Sequence, residues 1–206
     1  MNIEEQRLWN NPFIDGGHEW SRNGSTQLLW ETEIERHAKK WFFGEGLEIA
    51  PGEGRMTEYL LNFSEKLYLV DLNEHPLSVC MKKFGNKCSG YFVNDGKSLP
   101  EHFQNNLDFI FSWDSFVHIH WDIFKIYLKE ISRALKVDGI FFIHHAHFWG
   151  GSDFSFNNYC GRANLDLSVL NDELDVLGFE VLEQYWVKIS WQDPNFVDCV
   201  TLARKR

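Results

Sequence analysis

The chain has 206 residues, 44% of them hydrophobic and 24% charged, the make-up of one folded domain and not of a disordered or fibrous chain. Its 18 Phe, 9 Trp and 6 Tyr supply more apolar bulk than an unfolded polar chain carries. Thirty acidic against 20 basic residues leave a net charge of -10, and the one dense basic run is Arg204-Lys205-Arg206, so the clustered cations that a nucleic-acid backbone demands are missing.

Residues 1–43 read as a cap and 44–206 as the core of a single domain. The first 25 residues are rich in Asn, Gly and Trp. A helix follows, with Trp30, Ile34, Ala38 and Trp41 on one face, expected to cover the edge or mouth of a sheet. From Phe42 onward strand and helix alternate. Gly46 to Ala50 is a buried strand stopped by Pro51-Gly52, and Met56, Tyr59 and Leu60 give the next stretch helical spacing. Leu67 to Val70 is a second strand, ending on Asp71. Leu77, Cys80, Met81 and Phe84 then recur at helical positions, with Pro76 near the start and Gly85 at the stop. Gly90 to Val93 is a third strand, breaking at Asn94-Asp95-Gly96. Leu107 to Trp113 is the fourth, with a loop to His120. Between Asp122 and Lys136, Ile123, Phe124, Tyr127, Leu128, Ile131, Ala134 and Leu135 form one apolar stripe. Asp138-Gly139 turns the chain into a fifth strand, Ile140 to Ile143. A helix with Ser168 as N-cap runs to Leu177, and Phe179 to Val187 and Phe196 to Ala203 close the sheet as an antiparallel pair. The alternation predicts an α/β fold, a doubly wound sheet covered on both faces, with ligands outside the carboxyl ends of its strands.

Three of those ends carry acids. In Glu48-Ile49-Ala50-Pro51-Gly52-Glu53-Gly54 a strand stops, Gly52 and Gly54 let the backbone turn sharply, and a helix begins. Glu53 inside the turn would repel a dinucleotide pyrophosphate, whereas a cationic, amino-acid-bearing cofactor suits it. Asp71 can accept the hydroxyl protons of a ribose, or cap the next turn. Asp95 can hold an adenine amino group, or serve as an Asp-Gly turn. This constellation resembles the class I S-adenosylmethionine-dependent methyltransferases over residues 44–150, with Ala50 where that family usually has glycine and Val137-Asp138-Gly139 where it has Pro-Gly-Gly. The resemblance implies a seven-stranded Rossmann-like sheet in the order 3-2-1-4-5-7-6 with the last strand antiparallel. It also implies S-adenosylmethionine as cofactor, held by Glu48, Ala50, Gly52, Gly54, Asp71, Leu72, Asp95, Gly96 and Trp113.

The acceptor end holds Ser112-Trp113-Asp114-Ser115-Phe116-Val117-His118 and His144-His145-Ala146-His147. A hydroxyl nucleophile must lose its proton as the methyl arrives, so a His or Asp within reach would act as base. Strand alternation sends His144 and His145 to opposite faces. We assign His145 as the base with Asp114 as its partner or as a second base, and read His144 as packing. His147 is a further candidate, His118 a packing or capping residue, and His120 exposed. An Asp-His set holding a divalent metal is the alternative, though no metal site is assigned. Together with His18, Glu19 and Trp20 in the cap, these segments are similar to bacterial methyltransferases of sugar and surface-polysaccharide biosynthesis. Trp149 to Arg162 reads as a loop over the mouth, with Arg162 facing an acidic sugar or a surface carboxylate.

The expected reaction is methyl transfer to a hydroxyl of a small acceptor such as a sugar or sugar nucleotide. An NAD-dependent oxidoreductase and a non-catalytic binding scaffold are the competing readings. No run of about 20 apolar residues could cross a bilayer, and the acidic start, Met1-Asn2-Ile3-Glu4-Glu5, is unlike a signal peptide. Cys80, Cys88, Cys160 and Cys199 form no C-x-x-C pair, which fits a reducing cytoplasm. The expected partner is a small-molecule acceptor, with no nucleic acid and no membrane; a homodimer is allowed for.

Overall fold

A computed structural model describes residues 25–147, 162–187 and 197–206. Helix α1 covers 25–41 and is built of three pieces, Ser25–Leu29, a π-helical turn Trp30–Ile34, and Glu35–Trp41. Strands β1 (Glu45–Ile49), β2 (Lys66–Asp71) and β3 (Gly90–Val93) alternate with α2 (Thr57–Leu60) and α3 (Glu74–Phe84). Then come β4 (Leu107–Phe116), α4 (Trp121–Ala134), β5 (Leu135–His147), α5 (Leu167–Val176), β6 (Phe179–Val187) and β7 (Val197–Lys205). The seven strands form one sheet in the order 3-2-1-4-5-7-6, as expected. Neighbours from β3 to β5 run parallel, and β7 is antiparallel to both β5 and β6.

Period-2 alternation sorts the apolar residues into two layers. Leu47, Ile49, Val70, Ile110, Phe141, Ile143 and Ala203 face α4 and α5, which bury Phe124, Leu128, Ile131, Leu170 and Leu174. Leu67, Leu69, Phe109, Phe111, Phe142, Val200 and Leu202 face α1 and α3 through Trp30, Ile34, Ala38, Leu77 and Cys80. Helix α1 is thus a layer of the core and not a cover over the sheet's edge. Tyr185 of β6 donates a 2.6 Å hydrogen bond to its Glu33 carbonyl, and Arg36 pairs with Glu183 at 2.6 Å. Trp41, expected on the buried face, is only half-buried.

The helix after β1 is a single turn. Strand β4 continues past Trp113 to Phe116, with a break in register between Ser112 and Phe116. Strand β5 begins at Leu135, and the turn expected at Asp138-Gly139 is a kink within it, where Asp138 has φ 66°. The N-cap of α5 is Asp166, whose carboxylate accepts the Ser168 amide at 2.8 Å, and Ser168 is inside the helix. Among the described residues, no helix is long and apolar enough to cross a membrane.

Candidate active site at the carboxyl edge of the sheet

The strand order reverses between β1 and β4, and the turn after β1 occupies that switch point. Ala50, Gly52 and Gly54 all have positive φ, of 56°, 55° and 83°. Alternate left-handed residues coil the chain tightly enough to turn from strand to helix within a few positions. At Gly54 glycine is needed twice over: a Cβ there would also lie 2.3 Å from Phe84 Cε2. Ala50 takes the left-handed conformation despite its side chain, and its N–H donates to the Val70 carbonyl at 2.7 Å.

Two acids brace this turn. Asp71, at the tip of β2, is 8% exposed, and its carboxylate accepts the Asn73 amide at 2.8 Å. Burial pushes its carboxyl up to about 6, against backbone hydrogen bonds from Asn73, Gly52 and Leu72. Leu72 and Gly52 therefore serve Asp71 through their amides. Glu48 is 3% exposed and accepts the Thr57 hydroxyl at 2.5 Å, which ties β1 to α2. Burial pushes Glu48 up to about 8, opposed by Thr57 and by the charge of Arg55. Buried and bonded to Thr57, Glu48 is closed off from solvent.

At the end of β3, Asp95 is exposed and folded into a turn of its own. Its Oδ1 accepts the amides of Lys97 at 3.1 Å and Ser98 at 2.8 Å, and the Ser98 hydroxyl at 2.7 Å. Gly96, at φ 77°, donates to Asn94 Oδ1 at 3.1 Å. Asn94, which the sequence did not single out, organises this corner: its amide group donates to the Ser98 carbonyl at 2.7 Å and to Tyr127 at 3.0 Å.

The acceptor side differs most from expectation. His145 does not meet Asp114. It is fully buried on the α4 face near Phe124, with Nε2 2.8 Å from the Thr201 hydroxyl and Nδ1 2.8 Å from the Ala146 carbonyl. Burial drives its imidazole down to about 4. The partner of Asp114 is His144, whose Nδ1 lies 3.1 Å from Asp114 Oδ1. Asp114 also binds Arg55, which directly follows Gly54. Burial alone would raise the Asp114 carboxyl, but His144 and Arg55 outweigh it and hold it below the usual carboxylate range. The Asp114 side chain is 29% exposed, and its backbone has φ 60° within the irregular end of β4. Trp113 stacks on His144 with ring centroids 4.2 Å apart.

Arg162 is not on the surface. It forms a buried two-point pair with Asp198 of β7, Nε to Oδ1 at 3.2 Å and a terminal nitrogen to Oδ2 at 2.8 Å. Asp198 in turn lies 3.6 Å from His144 Nε2. His147, at the end of β5, packs 4.6 Å from the ring of Trp186. His118 lies half-buried in a turn, its amide donating to the Ser115 carbonyl at 3.0 Å. His120 is half-buried, not exposed, and is the N-cap of α4. His18, Glu19 and Trp20, and the Trp149 to Arg162 loop short of Arg162 itself, lie outside the described residues. Among the described residues, no group of three or more His, Cys, Asp or Glu is arranged to hold a metal ion.

Comparison with known proteins bears on this edge. A family described as a methyltransferase domain matches residues 47–143, from β1 through the core of β5. No curated protein matches the sequence. Among solved structures, a protein from Pyrococcus horikoshii is similar at 15% identity, with a TM-score of 0.68 over 90% of this chain and 93% of that one. A Leishmania major S-adenosylmethionine-dependent methyltransferase is similar at 14% identity and a TM-score of 0.66, over 88% and 75% of the two chains. DhpI, solved with S-adenosylhomocysteine, is similar at 14% identity and a TM-score of 0.62, over 91% and 90%. The strand order and the likeness to these structures show the fold, the seven-stranded sheet of the class I methyltransferases, and residues 47–143 are similar to the methyltransferase domain. The residues would fit S-adenosylmethionine, the cofactor that this likeness implies: a tight turn with positive φ at Ala50, Gly52 and Gly54, beside the buried carboxyls of Glu48 and Asp71.

Proposed function

We propose that this chain methylates a hydroxyl of a small acceptor, such as a sugar or sugar nucleotide of carbohydrate biosynthesis. The observation that carries this reading is Asp114, a partly exposed carboxylate at the end of β4, one strand away from the glycine turn of β1. Bound at that turn, S-adenosylmethionine supplies an electrophilic methyl on a sulfonium. The rest of the work belongs to the chain. Asp71 offers its carboxylate to the ribose hydroxyls, and the Asp95-Gly96 turn borders the adenine side. Trp113, buried and stacked on His144, packs next to Asp114. Asp114 accepts the hydroxyl proton. Its low basicity is no obstacle, because an alcohol oxygen gaining a carbon becomes an oxonium whose proton even a weak carboxylate takes. Positioning supplies most of the remaining rate.

Calorimetric titration with S-adenosylhomocysteine tests the cofactor half. The wild-type chain should bind it, and Asp71→Asn should weaken binding at least tenfold. An absence of binding at millimolar ligand would overturn the reading, and binding of a nicotinamide dinucleotide instead would favour the oxidoreductase. A screen of sugars and sugar nucleotides for methyl incorporation tests the acceptor half, and Asp114→Asn should lower turnover about 100-fold or more. Cofactor binding with methyl transfer only to amines would replace hydroxyl by nitrogen.

A further inference from the structure

Asp114, His144, Asp198 and Arg162 form one line, buried except at the partly exposed Asp114, that crosses the ends of β4, β5 and β7, and His144 is its centre. The imidazole is fully buried, and among the described residues its Nε2 has no hydrogen-bond partner. Asp198 Oδ2 lies 3.6 Å from that nitrogen, too long for a hydrogen bond but close for a charge. Asp198 belongs on this face because β7 alternates, and Val200 stands directly opposite His144 in the antiparallel register. At the other nitrogen two groups of Asp114 compete. Its carboxylate lies 3.1 Å from Nδ1, and its backbone N–H points at the same Nδ1 from 3.3 Å. The break in register in β4 and the left-handed φ of Asp114 are what bring both groups to one ring atom.

These two contacts need opposite states of Nδ1. A proton on Nδ1 serves the carboxylate, and a charged acceptor wins over an amide when the carboxylate is ionised. A lone pair on Nδ1 serves the backbone N–H, and the ring proton then sits on Nε2, facing Asp198. Neutral histidine has one proton to place, so each tautomer matches one state of Asp114.

We propose that His144 is a positioning residue that holds Asp114 in both its charged and its protonated form by moving its own proton between Nδ1 and Nε2, with Asp198, anchored by Arg162, as the second station. This rests on Asp114 being the proton acceptor proposed above. When Asp114 gains the acceptor's proton it loses its claim on Nδ1–H; the ring gives up that proton to solvent and takes one up at Nε2, on the Asp198 side, so its own charge is unchanged. The backbone N–H of Asp114 then takes over Nδ1, so the residue stays in place through the change of charge. A buried ion-pair network is a weak source of stability compared with apolar packing of the same volume. Its place at the carboxyl edge of the sheet makes sense if it holds a carboxylate that must change charge without moving.

The test is the ring nitrogen spectrum of the full chain labelled with 15N-histidine, in which His144→Gln assigns the signal by its loss. In the wild type at neutral pH the proton is expected on Nδ1. In Asp114→Gly, which removes the carboxylate, keeps the amide and suits the positive φ, the proton is expected on Nε2. Asp114→Asn, should the glycine variant not fold, is expected to increase the Nε2 share in the same direction. A wild-type ring protonated at Nε2 alone, or an unchanged tautomer when the carboxylate is removed, would overturn the proposal. Titration of the same wild-type sample with S-adenosylhomocysteine separates the two claims. A chain that binds it but keeps one tautomer fails here alone, and a chain that switches without binding it fails in the proposed function alone.

Discussion

Gly54→Ala is the sharpest trial of how the turn after β1 is built. The new Cβ would stand 2.3 Å from Phe84 Cε2, 2.9 Å from Cζ and 3.2 Å from Cys80 Sγ. Phe84 closes α3 and is 7% exposed, so its ring has little room to retreat. Two penalties combine. Holding a non-glycine residue in the left-handed region costs about 1–2 kcal/mol, and forcing a methyl into a packed site costs about 1–3 kcal/mol. The sum is about 2–5 kcal/mol, which for a domain of this size lowers Tm by about 4–20 °C. Urea denaturation of the two chains would measure it. Adding Phe84→Leu to Gly54→Ala should relieve the overlap but not the backbone strain, so the pair should be non-additive by about 1–3 kcal/mol. A Gly54→Ala chain within about 0.5 kcal/mol of wild type, the spread of an ordinary surface change, would refute this account of the turn, and so would strict additivity with Phe84→Leu.

Two other predictions address the same edge. Burial raises the carboxyls of Asp71 to about 6 and Glu48 to about 8, so between roughly pH 4 and 8 the folded chain holds protons that the unfolded chain has released. Stability without cofactor should therefore fall as pH rises through that window, and Glu48→Gln should flatten the upper part of the curve in urea titrations at pH 5 and pH 8. Ala50→Gly relieves a left-handed alanine at φ 56° and should stabilise the chain by up to about 1 kcal/mol, once the added freedom of the unfolded glycine is subtracted; a lower Tm would contradict the strain.

The sheet was readable because apolar runs such as Leu67 to Val70 and Ile140 to Phe142 are short, rich in branched and aromatic residues, and cut by glycine or acid. The motif at Glu48 to Gly54 was readable for a related reason: left-handed turns restrict the residue type locally. The histidines were not. Alternation says that His144 and His145 point opposite ways, but choosing between them requires knowing that α4 covers the face of Ile143 and His145. That follows from a packing partner more than ten residues away in sequence. Arg162 was singled out, but its pairing with Asp198 escaped notice because a pair 36 residues apart leaves no local spacing to detect. The irregular end of β4 hid the reach of Asp114, since an extra residue in a strand resets the side on which its neighbours fall.

The charges along this edge fall into two unlike halves. Over β1 and β2, Glu48 and Asp71 are buried beside a hydroxyl and backbone amides, and both resist ionising. Such a site gains from any cation that enters, because a positive charge offsets the cost of burying carboxylates. Over β4 and β7, Asp114 and Asp198 are each paired with an arginine. That half has its negative charge already balanced, and a second cation would meet Arg55 and Arg162 as well as the acids. A cationic cofactor is therefore drawn to the first half and a neutral, hydrogen-bonding acceptor suits the second. Under the proposed function, this asymmetry orients the two substrates before any contact with the reacting atoms is made.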